Sequence, residues 1–248
     1  VLENQIYCGN SLELLNNLPD NSVDLLLLDP PYSIHNTPID QEIDLNVMWM
    51  QFNRIIKPKR NILIFAGGYF YHKLVMSNLK KFRYELIWEK SKCGSPLTAK
   101  HMPLKKHEFI LIFGDSASLY NPQMEVGEPY KRSYTATKTN NLNFGVKGVE
   151  TNNSGTRHPS TILSSEKFPQ KWSRQQQGKI HPFLKPVSLL QWLIRSYSNE
   201  GDLVVDPFMG SGSTCIAAKM ENRNYIGIEL DEKYYDIAKY RIENNIVM

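Results

Sequence analysis

The sequence predicts an α/β sandwich, three layers deep, built on a mostly parallel sheet. Three observations carry that expectation: short apolar runs rich in branched residues recur along the chain, helical stripes lie between several of them, and one run leads straight into a glycine-rich turn that opens a helix. The runs are SVDLLLLD (22–29), NILIFAG (61–67), YELIWEK (84–90), EFILIFG (108–114), DLVVDPF (202–208) and NYIGIEL (224–230), each with the length of a short buried strand. Met48, Phe52, Ile55 and Ile56 trace one helical face ahead of Pro58, and Leu190, Leu193, Ile194 and Tyr197 trace another after Pro186.

Residues 115–180 interrupt the rhythm. The stretch is rich in Ser, Thr, Asn, Gln and Lys with scattered aromatics, and so long a polar connection inside a domain is usually either functional or mobile. The expected organisation is therefore a first core half over 1–114, an insert over 115–180 and a second core half over 181–248.

At 248 residues, 41% hydrophobic and 22% charged, the chain can bury one sizeable core and is too apolar for disorder. No apolar run approaches the roughly 18 residues of a membrane span. Cys8, Cys93 and Cys215 form neither a disulfide framework nor a zinc-ligand spacing, and the first residues show no secretory leader, so a cytoplasmic protein without metal is expected. The net charge of +4 divides unevenly: −8 over 1–52, +11 over 53–106, +4 over 107–185 and −3 over 186–248. An acidic beginning and end around a basic middle suits a core that faces a polyanion, and equally suits solvated helix surface.

Asp29-Pro30-Pro31-Tyr32 follows the apolar run Leu25–Leu28. Ligands of open parallel sheets bind beyond the carboxyl ends of strands, so this tetrad belongs at the active edge. Two prolines stiffen the turn and leave Pro30 with a carbonyl but no donor. The Asp29 carboxylate and the Pro30 carbonyl are two acceptors beside the flat face of Tyr32, an arrangement suited to a planar group bearing an NH₂. An ordinary turn at a strand end would look similar.

Asp206-Pro207-Phe208-Met209-Gly210-Ser211-Gly212-Ser213-Thr214 follows a strand and opens a helix, the arrangement in which missing Cβ atoms let a nucleotide approach the backbone. Cys215 stands where a dinucleotide fingerprint has its third glycine, and no Gly-Lys-Ser/Thr follows, so a nucleoside without a pyrophosphate is indicated. The next strand ends at Glu229, whose carboxylate can take both hydroxyls of a ribose.

Together the two motifs resemble those of the S-adenosylmethionine-dependent DNA amino-methyltransferases, across nearly the whole chain. The catalytic tetrad precedes the cofactor loop with the polar region between them, which is similar to the circularly permuted order of that family's β group. The resemblance implies a Rossmann-like sandwich, catalytic Asp29, Pro30, Pro31 and Tyr32, and S-adenosyl-L-methionine held by Asn10, Ser11, Asp29, Lys185, Asp206, Phe208, Gly210, Gly212, Ser213, Thr214 and Glu229. IYCGNSLELL (6–15) resembles the segment near the adenine of the cofactor. His181-Pro182-Phe183-Leu184-Lys185-Pro186 resembles the family's HPxxKP element, whose lysine would meet the methionine carboxylate; Phe183-Leu184 depart from the Thr-Gln of many relatives.

The implied reaction is methylation of adenine N6 in duplex DNA after base flipping, with 115–180 as the target-recognition region and Asn140, Asn141, Arg157, Gln175 and Gln176 as candidate base readers. Cytosine-N4 methylation is the alternative within the family. RNA methylation and, from a different class, a non-catalytic nucleic-acid-binding subunit of the same fold are the others. A homodimer and a cognate restriction endonuclease are the further partners that the resemblance implies.

Overall fold

The computed structural model describes residues 2–32, 42–94, 96–133, 150–170 and 184–247. Its centre follows from one segment. Val23–Leu28 (β2) buries all six residues, as only a strand covered on both faces can. The alternating pleat sends Leu25 and Leu27 into one apolar cluster and Leu26 and Leu28 into another, which fixes a helix layer on each side of the sheet.

Eight strands form that sheet among the described residues. They are β1 (Gln5–Cys8), β2, β3 (Ile56–Ala66), β4 (Phe82–Glu89), β5 (His107–Gly114), β10 (Ile162–Leu163), β11 (Leu203–Asp206) and β12 (Asn224–Glu229). Their spatial order is β1-β12-β11-β2-β3-β5-β4-β10. All pairings are parallel except those of β5, which runs against both β3 and β4. The sheet is thus mostly parallel, as expected, with one reversed strand.

On one face α2 (Leu45–Ile55) and α3 (Gly68–Ser77) pack Met48, Phe52, Phe70 and Leu74 against the sheet. On the other, α4 (Val187–Tyr197), α5 (Ser213–Met220) and α6 (Glu232–Glu243) supply Leu190, Leu193, Ile216, Ala217, Ala238 and Ile242. Asp44 caps α2 by accepting from the Asn46 and Val47 amides, and Asp231 caps α6 in the same way. None of the described helices is long and apolar enough to cross a membrane.

Pro58 does not end a helix at the expected place. The helix stops at Ile55 and Ile56 already pairs with Val23, while the next partner of β2 is Asn61, so residues 57–60 bulge out of the ladder. Lys59 takes a positive φ of 59° there, and the bulge accommodates the missing N–H of Pro58.

The chain separates into two compact units, 1–121 with 161–248, and 122–160. The second is narrower than the 115–180 insert expected from composition. Residues up to 121 stay on the sheet because Asn61 Nδ2 donates to the Leu119 carbonyl at 2.7 Å. From 161 the chain returns as β10 beside β4, and Phe168 packs on Trp192. Within the smaller unit, β6 (Glu125–Val126) pairs with β9 (Thr156–Arg157), and β7 (Tyr130–Ser133) with β8 (Glu150–Asn153), both antiparallel. The Arg157 guanidinium lies 4.6 Å from the centroid of the Tyr130 ring, a contact that holds this candidate base reader.

The charge division is partly internal. Arg54, Lys57, Arg60, Lys73, Lys81, Lys90 and Lys106, seven basic residues of the +11 segment, form ion pairs, several with Asp20, Asp24 and Glu42 of the −8 segment.

Candidate active site

Three adjacent parallel strands end in carboxylates: β12 at Glu229, β11 at Asp206, and β2 just before Asp29. Their register makes a step. Asp206 lies opposite Gly227, so Glu229 extends two residues further; Val205 lies opposite Leu26, so Asp29 also extends two residues beyond the level of Asp206. At roughly 3.3 Å per residue, Asp206 sits about 7 Å behind the carboxylates on either side. The sheet edge is therefore notched where the strand sequence runs outward in two directions, the place where open α/β sheets bind ligands.

On one side of the notch stands the tetrad. Tyr32 Oη donates to Asp29 Oδ1 at 2.9 Å, and the ring is stacked on Phe70 with centroids 5.1 Å apart and planes 15° apart. Asp29 Oδ2 is ion-paired with Lys185 Nζ, which lies 3.5 Å from Glu108 Oε2 and 4.9 Å from the Phe65 ring centroid. Glu108 Oε1 in turn pairs with Lys90. Burial pushes the Asp29 carboxyl above its ordinary value and Glu108 adds to the push, while Lys185 and the Tyr32 hydroxyl pull it back. Burial works against the Lys185 ammonium, but Asp29 and Glu108 outweigh it and hold its pKa above the ordinary lysine value. Burial likewise opposes the charge on Glu108, and Lys185 with Lys90 outweighs it, so this carboxyl lies below its usual range.

Gly67, at the end of β3, leaves room for a further cation. A Cβ there would come within 2.5 Å of Lys105 Nζ and 3.8 Å of Tyr32 Cε2. Lys105 forms no ion pair among the described residues, and burial lowers its pKa. It belongs to the β4–β5 connection, which leaves the sheet at this same edge and carries Lys90, Lys92, Lys100, Lys105 and Lys106.

The other side of the notch is the glycine turn. Gly210 and Gly212 take φ of +53° and +79°, backbone that favours glycine, and a Cβ on Gly212 would meet the Ala238 Cβ at 3.0 Å and Ile242 Cδ1 at 3.1 Å. Glu229 Oε2 accepts from the Gly210 amide at 2.9 Å and Oε1 from the Asp231 amide at 2.8 Å, which ties the carboxylate to the turn. Asp206 Oδ1 accepts from the Phe208 amide at 3.0 Å. Burial pushes Asp206 up to about 7 against the Thr214 hydrogen bond, and burial also raises Glu229. Ser213 and Thr214 are buried in the first turn of α5, and Phe208 is half-buried against the α2 side of the core.

Asn10 and Ser11 follow β1, whose last residue pairs with Glu229. The Gly9 amide donates to the Glu229 carbonyl at 2.9 Å, and Asn10 caps a short helix, α1 (Ser11–Leu14), by accepting from the Leu12 amide at 3.0 Å. Asn10 and Ser11 are thus beside Glu229, and Lys185 is beside Asp29. His181, Pro182, Phe183, Asn140, Asn141, Gln175 and Gln176 lie outside the described residues.

Three residues of the site escaped the sequence. Glu108 and Lys90 sit at the ends of apolar runs, where a charge reads as a strand boundary. Arg241 occupies a helix position that looks solvated, yet it is buried and donates from Nη1 to Ser211 Oγ at 2.9 Å, bracing the glycine turn from α6. Burial holds its pKa down at about 10.

Comparison with known proteins bears on the fold and the family. The type II methyltransferase M.HpaI of Haemophilus parainfluenzae is 28% identical over 259 residues, covering 98% of this chain and 75% of the relative. M.HinfI of Haemophilus influenzae is 27% identical over 266 residues, covering 96% and 68%. Among solved structures, the cytosine-N4-specific PvuII DNA methyltransferase superposes with a TM-score of 0.72 at 19% identity, covering 99% of this chain and 89% of its own. M1.HpyAVI in complex with SAM superposes with a TM-score of 0.60 at 19% identity, covering 96% and 97%. Those two likenesses speak for the fold. A family model described as DNA methylase, of the N6 and N4 type, matches residues 23–240, and the chain belongs to that family of DNA methyltransferases.

Proposed function

We propose that this DNA methyltransferase methylates the exocyclic N6 amine of adenine in duplex DNA, with S-adenosylmethionine as donor. The observation that carries the reading is the Asp29 carboxylate at the tip of β2, with the Pro30 carbonyl after it and Tyr32 bonded to it. An adenine amine is a weak nucleophile because its lone pair is delocalised into the ring. Accepting both N–H bonds, at Asp29 and at the Pro30 carbonyl, localises the pair and stabilises the positive charge that develops on nitrogen. Tyr32, backed by Phe70, offers a rigid face for the flipped base. The proton lost by the methylated nitrogen passes to the Asp29 carboxylate or to water.

The residues of the notch fit the donor. Asp206, Glu229 and Asp29 make three neighbouring acidic strand tips, hostile to a pyrophosphate and complementary to a sulfonium. Gly210 and Gly212 leave the turn open to a nucleoside, and Glu229 is held where a ribose diol can reach a carboxylate. S-adenosylmethionine supplies an electrophilic methyl group; the chain supplies the orientation. A carboxylate rather than a serine at position 29 favours adenine over cytosine.

The test is to digest DNA methylated by the chain and identify the product: N6-methyladenine is expected, and N4-methylcytosine would overturn the base assignment. Asp29→Ala should cut turnover by about three orders of magnitude while sparing cofactor binding in large part. Unchanged turnover would remove Asp29 from the mechanism.

A further inference from the structure

Four charges from four separate parts of the chain line up beneath the tetrad: Asp29 after β2, Lys185 ahead of α4, Glu108 in β5 and Lys90 after β4. The middle pair is uneven. Lys185 Nζ is bonded directly to Asp29 but stands 3.5 Å from Glu108 Oε2, and that buried oxygen has no closer hydrogen-bond partner among the described residues. Glu108 is held from its other side by Lys90, and its strand position, opposite Trp88, is fixed by the β4–β5 ladder. A buried ion pair is a poor source of stability, so a buried carboxylate left half satisfied calls for another account.

We infer that Glu108 and Lys90 are positioning residues for methyl transfer: Lys90 anchors Glu108, Glu108 shares the Lys185 ammonium with Asp29, and that sharing sets how strongly Asp29 accepts the target amine. The inference rests on the role proposed for Asp29. If Lys185 belonged to Asp29 alone, the ammonium would neutralise the acceptor and weaken its hold on the amine protons. With Glu108 present, one positive charge serves two carboxylates and Asp29 keeps more of its negative character. Among the described residues, the other groups that face Asp29 are the Tyr32 hydroxyl and, across the notch, Asp206; Lys105 faces Glu108.

The two residues make opposite predictions. Removing the charge of Glu108 takes away a repulsion on Asp29, so its carboxylate ionises more readily; removing Lys90 frees Glu108 to draw on Lys185, so Asp29 ionises less readily. The experiment is the pH profile of kcat on duplex DNA with S-adenosylmethionine for wild type, Glu108→Gln and Lys90→Gln, with cofactor affinity measured alongside. The acid limb of Glu108→Gln should move to lower pH and that of Lys90→Gln to higher pH, each by roughly half a unit or more. The plateau kcat of Glu108→Gln should fall about tenfold, with cofactor Kd within about twofold of wild type. Glu108→Asp, which keeps the charge, should leave the limb in place and serves as comparator to Lys90→Gln should Glu108→Gln fail to fold. Limbs that stay put, limbs that move in the same direction, or a loss confined to KM would overturn the inference. Asp29→Ala separates the two levels: if it is inactive while the limbs do not move, only this inference fails; if it is active, the reading of Asp29 fails as well.

Discussion

Asp206→Asn should make the protein more stable, and increasingly so as pH rises. The carboxyl sits at the floor of the notch, 3% exposed, with no cation among its described partners. Burial raises its pKa from 3.8 in the unfolded chain to about 7 in the folded one. A carboxyl whose folded pKa is raised contributes stability that is complete below the unfolded value and lost as pH climbs through the folded one. Across the whole interval of about three units the loss is on the order of 4 kcal/mol, of which about 3 kcal/mol falls between pH 5 and pH 8. Asparagine keeps the oxygen that accepts from the Phe208 amide and carries no charge to bury. Urea denaturation at pH 5 and pH 8 should therefore show the variant gaining on wild type by about 3 kcal/mol over that range, or roughly 6–12 °C in Tm for a chain of this size. A gain that is independent of pH, or that grows toward acid, would refute the reasoning.

Gly212→Ala should cost about 1–2 kcal/mol of stability in calorimetry, because its backbone φ is +79° and the added Cβ presses on Ala238 and Ile242; a neutral result would mean α6 yields freely. Glu229→Gln retains an acceptor for the Gly210 amide but not the charge, so cofactor Kd measured by titration calorimetry should weaken about tenfold, and an unchanged Kd would exclude Glu229 from the cofactor contacts. Lys105→Ala should weaken DNA binding and reduce the magnitude of the log–log salt slope by about one, without altering cofactor affinity; an unchanged slope would place this cation away from phosphate.

The sequence discloses whatever local pattern encodes. Val23–Leu28 is apolar at every position but Asp24, so a central buried strand was legible, and with it the placing of Asp29 at a strand tip. The glycine turn was legible because Gly210 and Gly212 stand between a strand and a helix at positions where a side chain would be strained. Contacts over long separations were not. Lys185 and Asp29 are 156 residues apart, and nothing in either neighbourhood announces that the two will pair. The basic middle looked like a face for a polyanion, yet four of its cations pair with the acidic first segment, since net charge by segment does not record which side chains meet. The limits of the compact units differ from the compositional ones for a related reason: 115–121 and 161–170 are polar in composition but are tied to the larger unit by hydrogen bonds, which composition does not register.

The reversed strand has an evolutionary consequence. Because β5 runs against β4, the segment between them closes a hairpin, and doubling a flexible loop of that kind costs only about 0.6 kcal/mol in closure entropy. The ladder that sets Glu108 opposite Trp88 does not depend on the loop's length or wording. Beyond Lys90, the lysine-bearing connection can therefore be lengthened, shortened or exchanged while the charges beneath the tetrad keep their places. Lineages that share the chemistry are free to diverge here in how they grip a substrate.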